Sequence, residues 1–524
     1  MTPVWVLTSL AEGADQVAAE VCAGLVDVDV IAVLPMPLAE YVNDFAVGEA
    51  RARFASLLGA CTQVLVAEDV VQSCHPGTTA IESSVQARDA AYRRCARLIS
   101  DCSHVLIAAW DGKPANLPGG TADTIAYRVP SGTWSPGGRD GLWDPPGGLT
   151  VHVPVGRVSH DDEPMLGDRS GRASIPHVID AREHDDGRMH AGWRPWVANM
   201  PDPVLKRLHE VNARLRAAPS DPADTGAGRC IRLMESYDRE ALRLQVRYRR
   251  IAAGLLLAGV LVLLSVSVEQ SVTFGWMLGF AVVTIGATGA LWWGLTRIGL
   301  KARFSVARAI AEGARVQVAW TECGVRRCVT DTYLQGEPDL QWVRRLLNAA
   351  WFADAATVER ATKSPKAPLQ AAHAWIDGQV AYFAGDTERS GAIARNRARA
   401  DRYERISAIG ASIALTSLVP EGLRLWTPVS IPAWVTDIAQ SGWELGVSAA
   451  AASLAYTQLM AFSETGRRYQ AALMAFRQAQ RQLQGIAPDS ALGIEQVVRD
   501  IGQEALSETA SWLAMHRDRS IRPI

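Results

Sequence analysis

The sequence predicts two fold classes in one chain. An α/β domain on a parallel, doubly wound sheet is followed by an α-helical membrane domain of two helical hairpins, with four transmembrane helices in all. Three observations carry this. Short β-type runs alternate with helical patterns over residues 4–155, as in a parallel sheet covered on both faces. Two uncharged apolar segments follow, Ile251–Val268 and Phe274–Leu295, each long enough to cross roughly 30 Å of hydrocarbon as a helix. A short motif, "RYRRI" at Arg247–Ile251, returns as "RYERI" at Arg402–Ile406 and abuts an apolar segment both times. That recurrence marks the membrane part as a duplicated unit.

Within the α/β part, "VWVLTSL" (Val4–Leu10) reads as a first strand, with a helix over Gly13–Leu25. "VDVIAVLPM" (Val28–Met36) is the next strand, followed by helical patterns around Leu38–Leu58. "QVLVAE" precedes a long helix over Thr79–Ser100, which leads into "HVLIAAW" (His104–Trp110). A further helix opens near Gly120, and "TVHVPV" (Thr150–Val155) is the last strand of the series. The alternation of apolar runs with helical periodicity defines these elements.

In open sheets of this kind, ligands sit beyond the carboxyl ends of the strands. Two loops at that edge are chemically loaded: "TSLAEGADQ" (Thr8–Gln16) and "WDGKPANLPGGTAD" (Trp110–Asp123). Gly119 and Gly120 leave backbone N–H groups open to an anion, and a helix starting there adds its positive end and unpaired donors. The Thr121 hydroxyl offers a bond to the same oxygens, and Asp15, Asp111 and Asp123 could accept from ribose or base donors. The same carboxylates equally suit helix caps and turns. A Pro-Gly-Gly turn by itself needs no ligand.

Four motifs in order, "LAEGADQVAAEV", "VLPMPLAEYVNDF", "RLISDCSHVLIAAWDG" and "PGGTAD", resemble the SLOG superfamily over about residues 4–155. These are Rossmann-like domains related to the Lonely Guy nucleotide hydrolases and to the ligand-sensing region of melastatin-type TRP channels. The resemblance implies an α/β Rossmann-like N-terminal domain that binds or processes a nucleotide or nucleotide derivative. As ligand-binding residues it implies Glu12, Gly13, Asp15, Arg97, Asp111, Gly112, Gly119, Gly120 and Thr121, which Asp123 joins from the loop chemistry above. Three departures matter. Relatives usually begin with another strand bearing a Gly-His-Arg type turn, so either the start lies too late or the site is incomplete. Relatives usually have an acid where His104 stands. The hydrolase branch carries a glutamate a few residues beyond its paired glycines, where this chain has Ile125, a residue with no acid–base capacity. Sensing is therefore expected over catalysis. The alternatives are an N-glycosidic nucleotide hydrolase, with Asp123 or Glu12 supplying acid–base chemistry, and a scaffold without ligand.

The composition is consistent with a cytosol-facing membrane protein. The chain of 524 residues carries 53 basic and 55 acidic residues, so no overall nucleic-acid signature is present and no nucleic-acid partner is expected. Apolar residues make up 48% and the mean hydropathy is +0.02, which points to membrane segments. The eight cysteines form no CxxC pair. That argues against a zinc or disulfide framework and for free thiols in a reducing compartment. The N-terminus lacks a charged stretch before a long apolar one, so no signal peptide is expected. From Pro130 to about Gly228 the chain is turn-rich and charged, which predicts a partly ordered insertion and linker. His160, His177, His184 and His190 lie among acids there, but without metal-ligand spacing. Neither a metal nor a cofactor is expected.

In the first hairpin, Trp292 and Trp293 sit where an interfacial aromatic belt belongs. The connection "EQSVT" has no basic residue. Arg243, Arg247, Arg249 and Arg250 precede the pair, and Arg297, Lys301 and Arg303 follow it. Both outer ends are therefore expected in the cytoplasm. The second pair, Ile406–Val419 (extending to Trp426) and Leu445–Phe462, is weaker, and length alone leaves it undecided between core helices and spans. The repeat, with basic helices "KARFSVARAIAEGARVQ" and "RRYQAALMAFRQAQRQL" after each pair, decides for spans. This part resembles the SLATT family of two-transmembrane effector domains, here in tandem. "WIDGQVAYF" (Trp375–Phe383) is similar to a tryptophan–glutamine–tyrosine pattern preceding the second hairpin in such proteins. It reads equally as a cytosolic helix packing Trp375, Gln379 and Tyr382 near one face. The resemblance implies membrane-disrupting or channel-like assemblies coupled to nucleotide sensors in bacterial defence. Small residues in the second pair, Gly446, Ala450, Ala451 and Ser453 among them, permit close helix contact.

The organisation expected is a sensing domain at 1–160, an irregular linker at 161–230 and a first hairpin with basic flanks at 231–325. A cytosolic helical connector at 326–394, a second hairpin at 395–485 and a helical tail at 486–524 complete it. The protein is expected in the plasma (inner) membrane, multi-pass, with both termini cytoplasmic. Its expected partners are a nucleotide or nucleotide derivative, the lipid bilayer and further copies of itself.

Overall fold

The computed structural model describes residues 4–70, 84–112, 118–129, 149–155, 177–183, 189–195, 203–217, 228–271, 279–280, 282–290, 299–335, 337–357, 367–385, 390–426, 430–487 and 490–518. The chain forms two compact units. One is Met1–Ser236 with Glu312–Ser364, and the other is Tyr237–Ala311 with Pro365–Ile524. The structure is mostly helical, with small sheets confined to the first unit.

The first unit opens with β1 (Val4–Thr8), α1 (Ala14–Ala23), β2 (Val28–Leu34), α2 (Leu38–Tyr41), α3 (Glu49–Ala60), β3 (Gln63–Val66) and α4 (Ala67–Val70). β2 lies between β1 and β3 and pairs parallel with both, with Val6 opposite Val30 and Ile31 opposite Gln63. Its run Val30–Leu34 is buried at every position, as a central parallel strand covered on both faces requires. The core beside it gathers Leu10, Ala19, Val30, Ala32, Leu34, Met36, Tyr41, Phe45 and Phe54. Phe45 stacks on Phe54 with centroids 4.2 Å apart, and Tyr41 meets both edge-on. Such ring geometry adds about 0.5–1.5 kcal/mol per pair beyond area burial.

Next come α5 (Ser84–Cys102), β4 (Val105–Trp110), α6 (Thr121–Arg128) and β5 (Leu149–Pro154). The sheet expected to be single is in two pieces. β4 pairs parallel with β5, and β5 continues into antiparallel β6 (His177–Glu183) and β7 (Met189–Pro195). These strands, and α7 (Pro203–Ala217) after them, lie where the composition predicts an irregular linker. The reason is physical: an antiparallel pair needs no continuous apolar run, so a polar hairpin leaves little trace in composition.

The chain returns to this unit through the end of α9 (Leu300–Glu322) and through α10 (Gln341–Thr357). α10 packs against α4, α5 and α7, and Val343, Leu347 and Phe352 are buried. Gly313 admits this packing, since an added Cβ would stand 2.6 Å from Leu347 Cδ1.

The second unit contains most of α8 (Arg229–Ser271), the helical residues 282–290 and the start of α9. It continues with α11 (Ala367–Ala384), α12 (Ala392–Ser417), α13 (Val419–Trp426), α14 (Ala433–Met460), α15 (Phe462–Gln484) and α16 (Ala491–Asp518). α12 and α14 form its most extensive helix pair. They cross where Gly410 faces Gly446: an added Cβ would lie 2.7 Å from the Gly446 carbonyl oxygen or 2.5 Å from that of Gly410. Ser453 Oγ donates to the Tyr403 carbonyl across the same crossing at 2.5 Å. α11 packs on α15, with Trp375 edge-on to Phe476 at 5.8 Å, while Tyr382 is exposed.

Among the described residues two helical stretches are long and apolar enough to cross a membrane, Ala392–Trp426 and Ala433–Gln484, with mean hydropathy 1.4 and 1.3. Only 11% and 33% of their apolar windows are buried, whereas a helix of a soluble core would be mostly buried. Of the four transmembrane helices expected, two are therefore supported among the described residues, both in the pair that the sequence leaves weaker. Ile406–Val419 is a short apolar run, but α12 and α13 carry it on to Trp426. In the first pair, α8 carries Ile251–Val268, and much of Phe274–Leu295 lies outside the described residues.

Candidate functional site

The loop after β1 is tied down by its own side chains. Leu10 adopts a φ of +56°, and its N–H donates to Thr8 Oγ1 at 3.1 Å. Ser9 Oγ donates to Asp15 Oδ2 at 2.7 Å, and the Tyr41 hydroxyl donates to the Ser9 carbonyl at 3.1 Å. Asp15 therefore anchors the loop to the first turn of α1. Glu12 and Gly13 are exposed at its tip. Gly13 has a φ of +104°, and an added Cβ would meet nothing within 4 Å, so backbone conformation and not crowding favours glycine there.

The loop after β4 begins with Asp111, 7% exposed, and Gly112 at a φ of +78°. It resumes with Gly119, whose N–H donates to Asp123 Oδ2 at 2.8 Å, and Arg93 Nε stands 3.8 Å from the same oxygen. Asp123 is thus engaged at the start of α6. Gly120 is extended at a φ of −74°, and its carbonyl accepts from Thr124 Oγ1 at 2.9 Å. Thr121 is exposed. Arg97 places its guanidinium 5.5 Å from the Tyr127 ring centroid, alongside the body of α6. Ile125 is buried with Ala108 and Val129.

The ten residues singled out from the sequence thus fall into three groups. Glu12, Gly13 and Asp15 share the β1 loop. Asp111, Gly112, Gly119, Gly120, Thr121 and Asp123 share the β4 loop, and Arg97 stands with Tyr127. Ser9, Tyr41 and Arg93 were not singled out, and nothing local marks them, because their partners lie on other turns or other elements. Among the described residues no group of three or more His, Cys, Asp or Glu side chains could hold a metal ion.

A polar core beside α6 was equally invisible in the sequence. Tyr127 donates to Asp101 with 3.0 Å to each carboxylate oxygen. Asn348 Nδ2 donates to the Asp101 carbonyl at 2.9 Å, and Arg344 donates to the Thr330 carbonyl at 3.0 Å. Arg128 donates to the Ser100 carbonyl and, at 2.9 Å, to that of Ser103, closing the end of α5. Burial raises the Asp101 carboxyl to about 6, against the Tyr127 hydrogen bond and the Arg128, Arg97 and Arg344 charges that lower it.

The two glycines at the start of α6 differ, and substitution separates them. Gly119 has a φ of +72°, and an added Cβ would lie 2.5 Å from the Tyr92 carbonyl carbon, which is backbone of α5. Gly119→Ala is expected to destabilise the first unit by about 2 kcal/mol, through overpacking and backbone strain. Gly120→Ala, at an ordinary φ, should cost under about 1 kcal/mol. Denaturant midpoints of the two variants check this, and equal midpoints would contradict the close approach at Gly119.

The fold and these loops define a chain with an α/β unit and a helical unit that carries two helices of membrane-spanning length. No family model, no curated protein and no solved structure matches this chain.

Proposed function

We propose that this protein is a membrane-anchored sensor of a nucleotide or nucleotide derivative, whose ligand controls a transmembrane, pore-forming effector in bacterial defence or stress response. The observation that carries this reading is the pair of glycine-bearing loops after β1 and β4, at the carboxyl ends of parallel strands where open α/β sheets take ligands. In this reading Glu12, Gly13, Asp111, Gly112, Gly120 and Thr121 contact the ligand. Asp15 and Asp123 hold the loops in place through Ser9 and the Gly119 N–H, whereas Arg97, implied by the resemblance, stands apart with Tyr127. The buried Ile125, where the hydrolases that the sequence resembles carry glutamate, favours sensing over catalysis.

The effector comprises α12 and α14 together with the apolar pair Ile251–Val268 and Phe274–Leu295, assembled from several copies in the inner membrane with both termini in the cytoplasm. The boundary between the units falls inside α8 and α9, so each of these helices has residues in both. A ligand can shift such a device by no more than its differential affinity for two conformations.

Thermal stability of the purified full-length chain across a panel of nucleotides tests the reading. A cognate ligand at a hundred times its Kd should add about 2.7 kcal/mol. Gly120→Asp, which adds a carboxylate at an ordinary φ, should abolish that gain while leaving the unliganded midpoint nearly unchanged. Stabilisation by no member of the panel would leave a ligandless scaffold as the better account. Steady release of free base that disappears in Glu12→Gln or Asp123→Asn would replace the sensor with a hydrolase.

A further inference from the structure

Where the apolar stretches of the second unit begin, two arginines from different helices meet an aromatic cluster. Arg249 is on α8, two residues before Ile251, and Arg399 is on α12, one turn before Tyr403. α8 packs here through Ala252 and Leu256 against Ala400 and Tyr403 of α12, Tyr456 of α14 and Phe462 of α15. Tyr403 lies 4.5 Å from Tyr456 and stacks on Phe462 at 6.0 Å, centroid to centroid. Asn396 Nδ2 donates to the Phe462 carbonyl at 2.6 Å and locks the corner between α12 and α15. Four helices therefore meet beside Arg249, which is half-buried, and Arg399, which is exposed, since Ala252 lies one turn on from Arg249 and Ala400 follows Arg399.

The charged group acting most strongly on Arg249 is another cation, Arg399, and both guanidiniums act on Tyr456. Burial first, and then the Arg399 charge, lower the pKa of the Arg249 guanidinium from its usual value. Among the described residues neither arginine forms a salt bridge. Two like charges held together beside aromatic rings cost free energy unless an anion lies between them. The uncharged residues that follow, from Ile251 on α8 and from Ile406 on α12, place this cluster at the level of lipid headgroups. Basic residues and Tyr side chains both favour that depth.

We propose that Arg249 and Arg399, with the Tyr403 and Tyr456 hydroxyls beside them, form a binding site for the phosphate headgroup of an anionic phospholipid. The site rests on the reading that this unit enters the membrane. It would make the helix packing of the second unit depend on the charge of the surrounding lipid.

The full-length chain in detergent micelles, titrated with phosphatidylglycerol, phosphatidylcholine or inorganic phosphate and followed by native mass spectrometry, tests this. Phosphatidylglycerol should bind in preference to phosphatidylcholine. The double variant Arg249→Gln, Arg399→Gln should weaken it by about 30-fold, at about 1 kcal/mol per basic residue near the headgroup. Without lipid the variant's melting midpoint should stay level or rise, because a repulsion is removed and no carboxylate loses a partner. Unchanged affinity in the variant, or equal binding of phosphatidylcholine, overturns the site. Displacement of phosphatidylglycerol by inorganic phosphate at matched concentration overturns the lipid assignment in favour of a soluble anion. Flotation of the chain with vesicles separates the two levels. A chain that floats but shows no lipid preference refutes only this site, whereas one that does not float refutes the membrane reading as well.

Discussion

Gly446→Leu is expected to separate α12 from α14 and to destabilise the second unit by about 3 kcal/mol, the upper end for overpacking a close contact. The obstacle is backbone, which no rotamer can relieve. The first added carbon would stand 2.5 Å from the Gly410 carbonyl oxygen and 2.7 Å from the Ala414 nitrogen. Small residues let apolar helices approach this closely where no hydrophobic effect drives them together. The hydrogen bond from Ser453 to the Tyr403 carbonyl spans the same crossing and would be lost with it. Gly422 is the control: it lies in the other spanning stretch, Ala392–Trp426, and an added Cβ there meets nothing within 4 Å. Thermal unfolding of the detergent-solubilised chain should show a large drop for Gly446→Leu and little change for Gly422→Leu. Equal midpoints would mean that the helices do not cross at these glycines.

Asp354→Ala is expected to cost the first unit about 2–3 kcal/mol. The first backbone N–H groups of a helix have no partner within it and need an acceptor. At the start of α8 the Asp354 carboxylate, carried by α10, accepts from the Arg229 N–H and, at 2.9 Å, from the Cys230 N–H. Asp354 is 8% exposed, so truncation leaves buried donors unsatisfied and removes a negative charge from the positive end of the helix. Trp5 and Phe352 complete the clamp: the Arg229 guanidinium lies 4.7 Å from the Trp5 ring centroid, and Trp5 meets Phe352 edge-on. Hydrogen exchange at the Arg229 and Cys230 amides should speed up in Asp354→Ala and much less in Asp354→Asn. Exchange unchanged in Asp354→Ala would show that another group caps α8.

Much of the first unit's backbone was legible in the sequence. β1, β2 and β4 fall where "VWVLTSL", "VDVIAVLPM" and "HVLIAAW" predict them; β2 is buried from Val30 to Leu34, as a central parallel strand requires, while β1 and β4 are apolar runs that leave Val4 and Ile107 exposed. The glycines after β1 and β4 were legible too, since few residues other than glycine accept the positive φ found at Gly13, Gly112 and Gly119. The roles of the carboxylates were not. Asp15 and Asp123 could equally cap a helix or receive a ligand, and only the observed bonds from Ser9 and from the Gly119 N–H show both holding their own loops.

Local pattern by itself therefore determined the apolar strands and the helices between them, and marked the segments apolar enough for a bilayer, because each leaves a periodic or compositional mark; the polar strands β6 and β7 leave none. Only the tertiary structure decided that α10 belongs to the core of the α/β unit, that Asp101 shares a buried polar network with Asn348, and that Asp354 caps α8. It also decided that Arg249 and Arg399 flank the same tyrosine, Tyr456. These pairs are separated by more than a hundred residues of chain, and nothing in local periodicity records which distant side chains will satisfy a buried donor or face a buried charge.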